Sequence, residues 1–511
     1  MSKELPKELA DLLGMLKQRR LLSAPAGLIY YGLQTGDFPP GSVDGWGESR
    51  AAIAKMVHEF GISADTRRIV EAANKPYVLE QLNDNQKAIA TSALMTLGFE
   101  IKLPSKFVER QANAQTKADT AWRKAHNAAE KDGDSAYKDF VTNHLPGMIE
   151  IAREEAGYYG DGNPWEELHR RYEPGMDLET ATNIFDSLEA DLVPFHRGLI
   201  EKSEAIPNPL NGMKFPIDDQ MRVCRVIAEI LGFDFTRGKF GVVTHPFATG
   251  ILPTDVRITT RFKETNIKSS LFGIMHEAGH GLYEQGRSDE AAWLEAEVYS
   301  LGIHESQSRT FENFIGRSLS FIRYIWPVLT GAFPQLRKVD VVDFWRYINK
   351  VENGFIRVEA DEVSYNLHIL LRFQMETAIL NGDIEIADIP NEWNTRFEKF
   401  FGVVPPTLSK GCWQDVHWSW GLFGYFPNYT YGNMIAGQFW RKRIMPAFED
   451  VNTLLRQGDV ASILNILRTD VHSHGIFWSA SGLVEKVTGE KLTHTYLMDY
   501  LRDKYMEVYS V

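Results

Sequence analysis

Helix dominates this chain, and one short stretch of strand interrupts it. Apolar residues recur at three- and four-residue spacing across most of the 511 positions. Strict two-residue alternation is confined to one place, Asp255 to Phe262. Hydrophobic content of 44% with 24% charged residues is ordinary for a globular protein, so a sizeable core can form.

The first segment, Met1 to Arg20, is charged and amphipathic and lacks the uninterrupted apolar run of a secretory signal. Helical spacing then covers Ser49 to Phe60, Asp84 to Leu97 and the charge-rich Ser105 to Lys131. Asp134 to Tyr159 and Asp177 to Glu204 follow. Between those two, Tyr172 to Met176 contains Pro174 and Gly175 and reads as a turn, with Asp177 as a natural N-cap. A Pro/Asn/Gly-rich connection, Ile206 to Pro216, separates an N-terminal helical layer (about 1–205) from a catalytic half (about 206–511). No flexible linker stands between them, so the expectation is a single domain over 1–511. No run reaches the roughly 18 apolar residues of a membrane span.

The strand signal lies between Lys239 and Phe262. Val242-Val243-Thr244 leads into His245-Pro246-Phe247, and a turn is expected at Gly250 to Pro253. Val256, Ile258, Thr260 and Phe262 then point one way, and Asp255, Arg257, Thr259 and Arg261 the other. A short sheet with one polar face results. Its edge can hold an extended peptide or simply face solvent.

Immediately downstream is His276-Glu277-Ala278-Gly279-His280, an HEXXH motif. Positions four apart lie above one another on a helix, so His276 and His280 offer two imidazoles to one ion. Glu277 lies beside them, within reach of a metal-bound water. Leu271, Ile274, Met275, Ala278 and Leu282 give the segment helical apolar spacing, and Ser269 to Gln285 is free of proline with Gly286 after it. Gly279 and Gly281 each cost a helix about 1 kcal/mol, which is tolerable where another backbone or a substrate passes close.

A catalytic zinc takes three protein ligands and leaves one position open. Glu284, Glu290, Glu295, Glu297, His304 and Glu305 are the downstream candidates. Glu284 sits one turn past His280, too far along the axis. Glu290 to Phe311 reads as a second helix, and if it returns antiparallel, a residue partway along it completes the site. On spacing alone Glu295, Glu297 and Glu305 all remain open.

Net charge of −13 disfavours nucleic acid and anionic membrane as partners. Two cysteines, Cys224 and Cys412, are too few for a disulfide framework and lack zinc-finger spacing, which points to a reducing cytoplasm.

Six motifs in order carry a family resemblance. They are His245-Pro246-Phe247, Asp255-Val256-Arg257-Ile258-Thr259, the HEXXH, His304-Glu305-Ser306-Gln307, Ile356 to Asp361, and Gly411 to Trp418. Together they resemble the carboxypeptidase Taq family of zinc metallocarboxypeptidases across nearly the whole chain. The resemblance implies an elongated, mostly helical metallopeptidase with a deep groove, similar to neurolysin and angiotensin-converting enzyme, and a small β-sheet next to the active site. It implies release of C-terminal residues from peptides with a free C-terminus. It also implies His276, His280 and Glu305 as ligands to zinc (or cobalt or manganese), Glu277 as general base, and a homodimer. Relatives of that fold place a tyrosine and a histidine at the scissile carbonyl. Here the segment His417 to Gly432 contains Tyr425, Tyr429 and Tyr431; the resemblance implies His417 and, by the run Gly424 to Tyr429, picks Tyr429 for those places. Arg357 and Arg257 are the candidates to read the substrate carboxylate, each with an ion pair (to Asp361 or Asp255) as its structural alternative. His245 is a candidate substrate contact, and Gln414 and Asp415 are candidate supports. A metallo-endopeptidase or dipeptidyl carboxypeptidase on the same fold is the alternative activity. A non-catalytic protein with a structural metal is disfavoured, because such sites are closed by four ligands, often cysteine.

Overall fold

The computed structural model describes residues 5–288, 292–293, 300–474 and 478–510. The chain divides into two compact units, each assembled from separated stretches of sequence. Met1–Ile101, Asn208–Ile348 and Ile435–Leu492 form the first; Lys102–Pro207, Asn349–Met434 and Thr493–Val511 form the second.

Helices fill both units, mostly where apolar spacing places them. Val43–Gly61, Asp84–Lys102, Ser105–Asp132 and Leu178–Ser203 are α-helices. Asp177 caps the last of these, its carboxylate accepting the Thr180 N–H at 2.7 Å. The continuous helix expected over Asp134 to Tyr159 is broken instead. A 3₁₀ turn (Gly133–Tyr137) and a π-turn (Phe140–His144) precede an α-helix at Leu145–Tyr159. Pro146 stands in the first turn of that last helix, where its missing N–H costs no hydrogen bond. Among the described residues no helix is long and apolar enough to cross a membrane.

Three strands form one sheet in the first unit: β1 (Gly238–Val242), β2 (Ala248–Leu252) and β3 (Asp255–Thr260), in the order β1-β3-β2. β3 runs parallel to β1 and antiparallel to β2. Two details of the sequence reading change. Gly250 belongs to β2, beside a register irregularity between Gly250 and Leu252, so the turn is displaced toward Pro253. Thr259 is buried on the face expected to be polar. Its hydroxyl accepts the Phe247 N–H at 2.8 Å and donates to the Phe247 carbonyl at 2.7 Å, which satisfies the buried polar atom.

The HEXXH lies on a helix over Ile267–Gln285, started by the Asn266 side chain, which accepts the Ser269 N–H at 3.4 Å. It packs on β3, on the helix Ile217–Leu231 and on a helix at Leu301–Arg309. Burial on so many sides matches its sequence, which is apolar or small around most of its circumference. The two glycines make the packing possible. A Cβ on Gly281 would fall 2.6 Å from Phe233 Cε2, and one on Gly279 would fall 2.6 Å from Ser308 Cα and 2.7 Å from the Gln307 carbonyl oxygen. Backbone therefore meets backbone at Gly279, as the sequence allowed.

Gly279→Ala should destabilise the protein by about 1–3 kcal/mol, because the obstructing atoms are main chain and cannot rotate away. Gly14→Ala, on an exposed helix face with nothing within 4 Å, should be neutral or slightly stabilising. Urea unfolding distinguishes the two. Equal stability of Gly279→Ala and the parent would refute the close-packing account.

Candidate metal centre and the arginine cluster

Contacts between the motif helix and Leu301–Arg309 pair low numbers with high ones. His276 meets Glu312, Gly279 meets Ser308, and Glu284 meets His304. The second helix thus returns antiparallel, and beyond Arg309 it loosens into a π-segment, Thr310–Gly316. This register brings His276, His280 and Glu305 together, with one donor atom from each inside a 4.8 Å cluster. His276 Nε2 stands 3.7 Å and His280 Nε2 3.3 Å from Glu305 Oε2. Glu290, Glu295 and Glu297 lie outside the described residues. Glu284, one turn further along, contacts His304 rather than the cluster.

The remaining polar atoms of the three side chains are engaged elsewhere. His276 Nδ1 lies 2.9 Å from Glu312 Oε2, His280 Nδ1 lies 2.6 Å from His304 Nδ1, and Glu305 Oε1 accepts from Arg309 Nε at 2.7 Å. Two Nε2 atoms converge with Glu305 Oε2, which also accepts from Ser308 Oγ at 3.1 Å, a donor set that fits a divalent ion such as zinc. Burial alone would raise the Glu305 and Glu312 carboxyls. Arg309 and the neighbouring histidines outweigh it, so both stay well below the usual carboxylate range. Burial pushes His280 down to about 3, with His304 adding to the fall. Glu277 is also buried, and burial, opposed by His276 and reinforced by Glu305 and Glu312, pushes its carboxyl up to about 7. A cation at the ligands would draw it back down.

Sequence reasoning missed Glu312, which supports His276 from the π-segment and is itself held by Arg309 and Arg317, each at 3.2 Å. On α-helical spacing it reads as one more surface acid.

In the sheet, Arg257 forms a two-pronged pair with Asp255 at 2.9 and 2.8 Å, its structural alternative. His245 stands exposed in the β1–β2 connection. Arg20 donates to the Gly250 carbonyl, so that part of β2 is not open to a peptide.

The second unit holds the other candidates. Arg357 is buried, and its partner is Asp415 (2.8 Å), not Asp361. Asp361 instead caps the helix Ser364–Asn381, accepting the Val363 and Ser364 N–H groups at 3.0 Å each. Arg372 binds the same Asp415 at 2.7 Å, so two buried guanidiniums share one carboxylate. Gln414 accepts the Arg357 N–H at 2.8 Å. Burial pushes His417 down to about 3, with Asp415 opposing and both arginines adding to the fall, which leaves a neutral imidazole. Its Nε2 lies 3.4 Å from the Tyr429 hydroxyl. The segment between them is tied down by Glu376, which accepts from Trp418 Nε1 and from the Gly424 N–H, each at 2.9 Å.

Two histidines from an HEXXH helix and one carboxylate from the helix returning beside it, in a helical fold, are the arrangement expected of a metallopeptidase site. The chain belongs to the carboxypeptidase Taq (M32) metallopeptidase family, whose profile matches residues 12–505. It is 31% identical over 506 residues to Carboxypeptidase 1 of Bacillus subtilis, with 98% of each chain covered. To Thermostable carboxypeptidase 1 of Thermus thermophilus it is 34% identical over 413 residues, covering 80% of this chain and 81% of that one. Its fold is similar to that of an M32 carboxypeptidase from Deinococcus radiodurans R1, with a TM-score of 0.91, 28% identity, and 99% and 100% of the two chains covered. The protein is thus a metal-dependent peptide hydrolase.

Glu376 generates a pH prediction. Burial, against the two N–H donors, pushes its carboxyl up to about 8. The folded protein keeps this proton after the unfolded chain has lost it, so stability is greatest below the ordinary carboxylate range and falls as pH rises to about 8. Glu376→Gln loses one hydrogen bond at every pH but has no charge to bury. Melting temperatures at pH 5.5 and 8.5 should therefore differ less in Glu376→Gln than in the parent. An unchanged difference would contradict the assignment.

Proposed function

We propose that this enzyme removes single C-terminal residues from peptides, with zinc held by His276 Nε2, His280 Nε2 and Glu305 Oε2. The observation that supports the ligand set is the convergence of those three atoms while the other polar atoms of the same side chains are engaged elsewhere. When bound, a divalent ion there acidifies a water and polarises a scissile carbonyl, and cobalt or manganese suits the same donors. Glu277, buried and next to His276 in the chain, takes the proton of the attacking water on a carboxylate oxygen and returns it to the leaving amine. His417, a neutral imidazole, and Tyr429 donate hydrogen bonds to the developing oxyanion, where one donor is worth roughly 3 kcal/mol.

Arg357 is the stronger candidate to read the substrate carboxylate. Arg257 is closed by Asp255. Among the described residues, Arg357 and Arg372 have only Asp415 between them as an ion partner, and Glu376, which also feels Arg372, holds its proton up to about 8. An entering carboxylate would neutralise the surplus charge and suit a two-pronged guanidinium contact. His245 is proposed as a further, exposed substrate contact.

Glu277→Gln should lower turnover by roughly 10²–10⁴-fold while bound metal, measured by elemental analysis, stays at parent level. Turnover near that of the parent would rule out Glu277 as the base. Glu305→Ala should lose metal; full retention would move the third ligand to Glu295 or Glu297. Mass spectrometry of digests tests the activity itself. A free-acid peptide should lose residues singly from its C-terminus and its amidated form should stay intact, whereas internal cleavage or loss of dipeptides would mark an endopeptidase or dipeptidyl carboxypeptidase.

A further inference from the structure

We propose that His304, backed by Glu284, is a positioning residue that fixes His280 in the tautomer whose Nε2 is free for metal. The proposal rests on His280 being a ligand, as proposed above. Its basis is an unbroken chain of hydrogen-bonding atoms. His280 Nδ1 and His304 Nδ1 are 2.6 Å apart, and His304 Nε2 is 3.1 Å from Glu284 Oε1. Two ring nitrogens can bond only if one carries hydrogen and the other is bare.

The direction of the chain follows from its far end. Glu284 is buried and paired with Arg287, and a carboxylate only accepts, so His304 Nε2 must donate to it. With its hydrogen on Nε2, His304 presents a bare Nδ1, and the hydrogen in the 2.6 Å contact belongs to His280 Nδ1. That leaves a lone pair on His280 Nε2, the atom facing Glu305 Oε2 at 3.3 Å. The opposite order needs one more proton on the pair and puts an N–H where the metal should be. The rings are held as well: His304 lies 4.6 Å from His280 between centroids and meets the Tyr283 ring edge-on at 5.0 Å.

His304 and Glu284 also border a cavity of about 520 Å³, with Arg19, Arg20 and Tyr30 on its wall. Shortening His304 therefore enlarges an existing space rather than opening a void in the core.

Zinc affinity measured against a competing chelator tests the proposal. His304→Ala should bind zinc about 10- to 100-fold more weakly than the parent. His304→Asn, whose Oδ1 replaces the accepting Nδ1, should recover most of that loss, and the metal-free forms should melt alike. Parent-like affinity in His304→Ala, or no recovery in His304→Asn, overturns the role of His304. His280→Ala separates this from the reading beneath it, because parent-like affinity in that variant would remove His280 as a ligand. If His304→Ala does not fold, nuclear magnetic resonance of the metal-free parent labelled with ¹⁵N-histidine decides: hydrogen on His280 Nδ1 supports the proposal, and hydrogen on Nε2 overturns it.

Discussion

The contact of backbone with backbone at Gly279 is the constraint on which the candidate metal centre depends. A helix carrying HEXXH supplies two imidazoles by its own geometry, but the third donor must come from another element. Because Gly279 has no side chain, Ser308 and the Gln307 carbonyl can lie against the motif helix. That approach sets one register between the two antiparallel segments. His276, His280 and Glu305 converge in that register, and Glu312 and His304 reach the outer nitrogens of the two histidines. A slip of one turn, about 5.4 Å, would lose all of these contacts together.

The second constraint is electrostatic. Glu277, Glu284, Glu305 and Glu312 are gathered within two turns of the motif histidines, and a buried carboxylate is expensive unless it is paired. Three arginines divide the work: Arg309 serves Glu305 and Glu312, Arg317 serves Glu312, and Arg287 serves Glu284. Glu277 is the exception. Among the described residues no arginine forms an ion pair with it, and burial shifts its carboxyl upward while its neighbours are shifted down. A lone acid amid paired ones suits the general-base role proposed for it.

What could be read from the sequence divides along physical lines. The motif helix, its apolar flanks and the reason for Gly279 and Gly281 were legible, because helical periodicity and the cost of glycine are local. Glu305 was not separable from Glu295 and Glu297 by spacing, since the register of a returning helix is a tertiary fact; only the family resemblance selected it. Glu312 was invisible because the helix becomes a π-segment after Arg309, which shifts the face on which later residues lie. In the sheet, alternation identified β3 but misjudged Thr259, whose hydroxyl is satisfied by Phe247 from outside the strand. Asp415 rather than Asp361 holds Arg357, a pairing 58 residues apart that no local pattern encodes.

Anomalous diffraction from crystals soaked in zinc is the most direct test of the ligand assignment. The strongest peak should lie within about 2.0–2.2 Å of His276 Nε2, His280 Nε2 and a Glu305 carboxylate oxygen. A peak held by other side chains, or by the motif histidines with Glu305 still bound only to Arg309 and Ser308, would overturn the claim that the Gly279 contact assembles the metal centre.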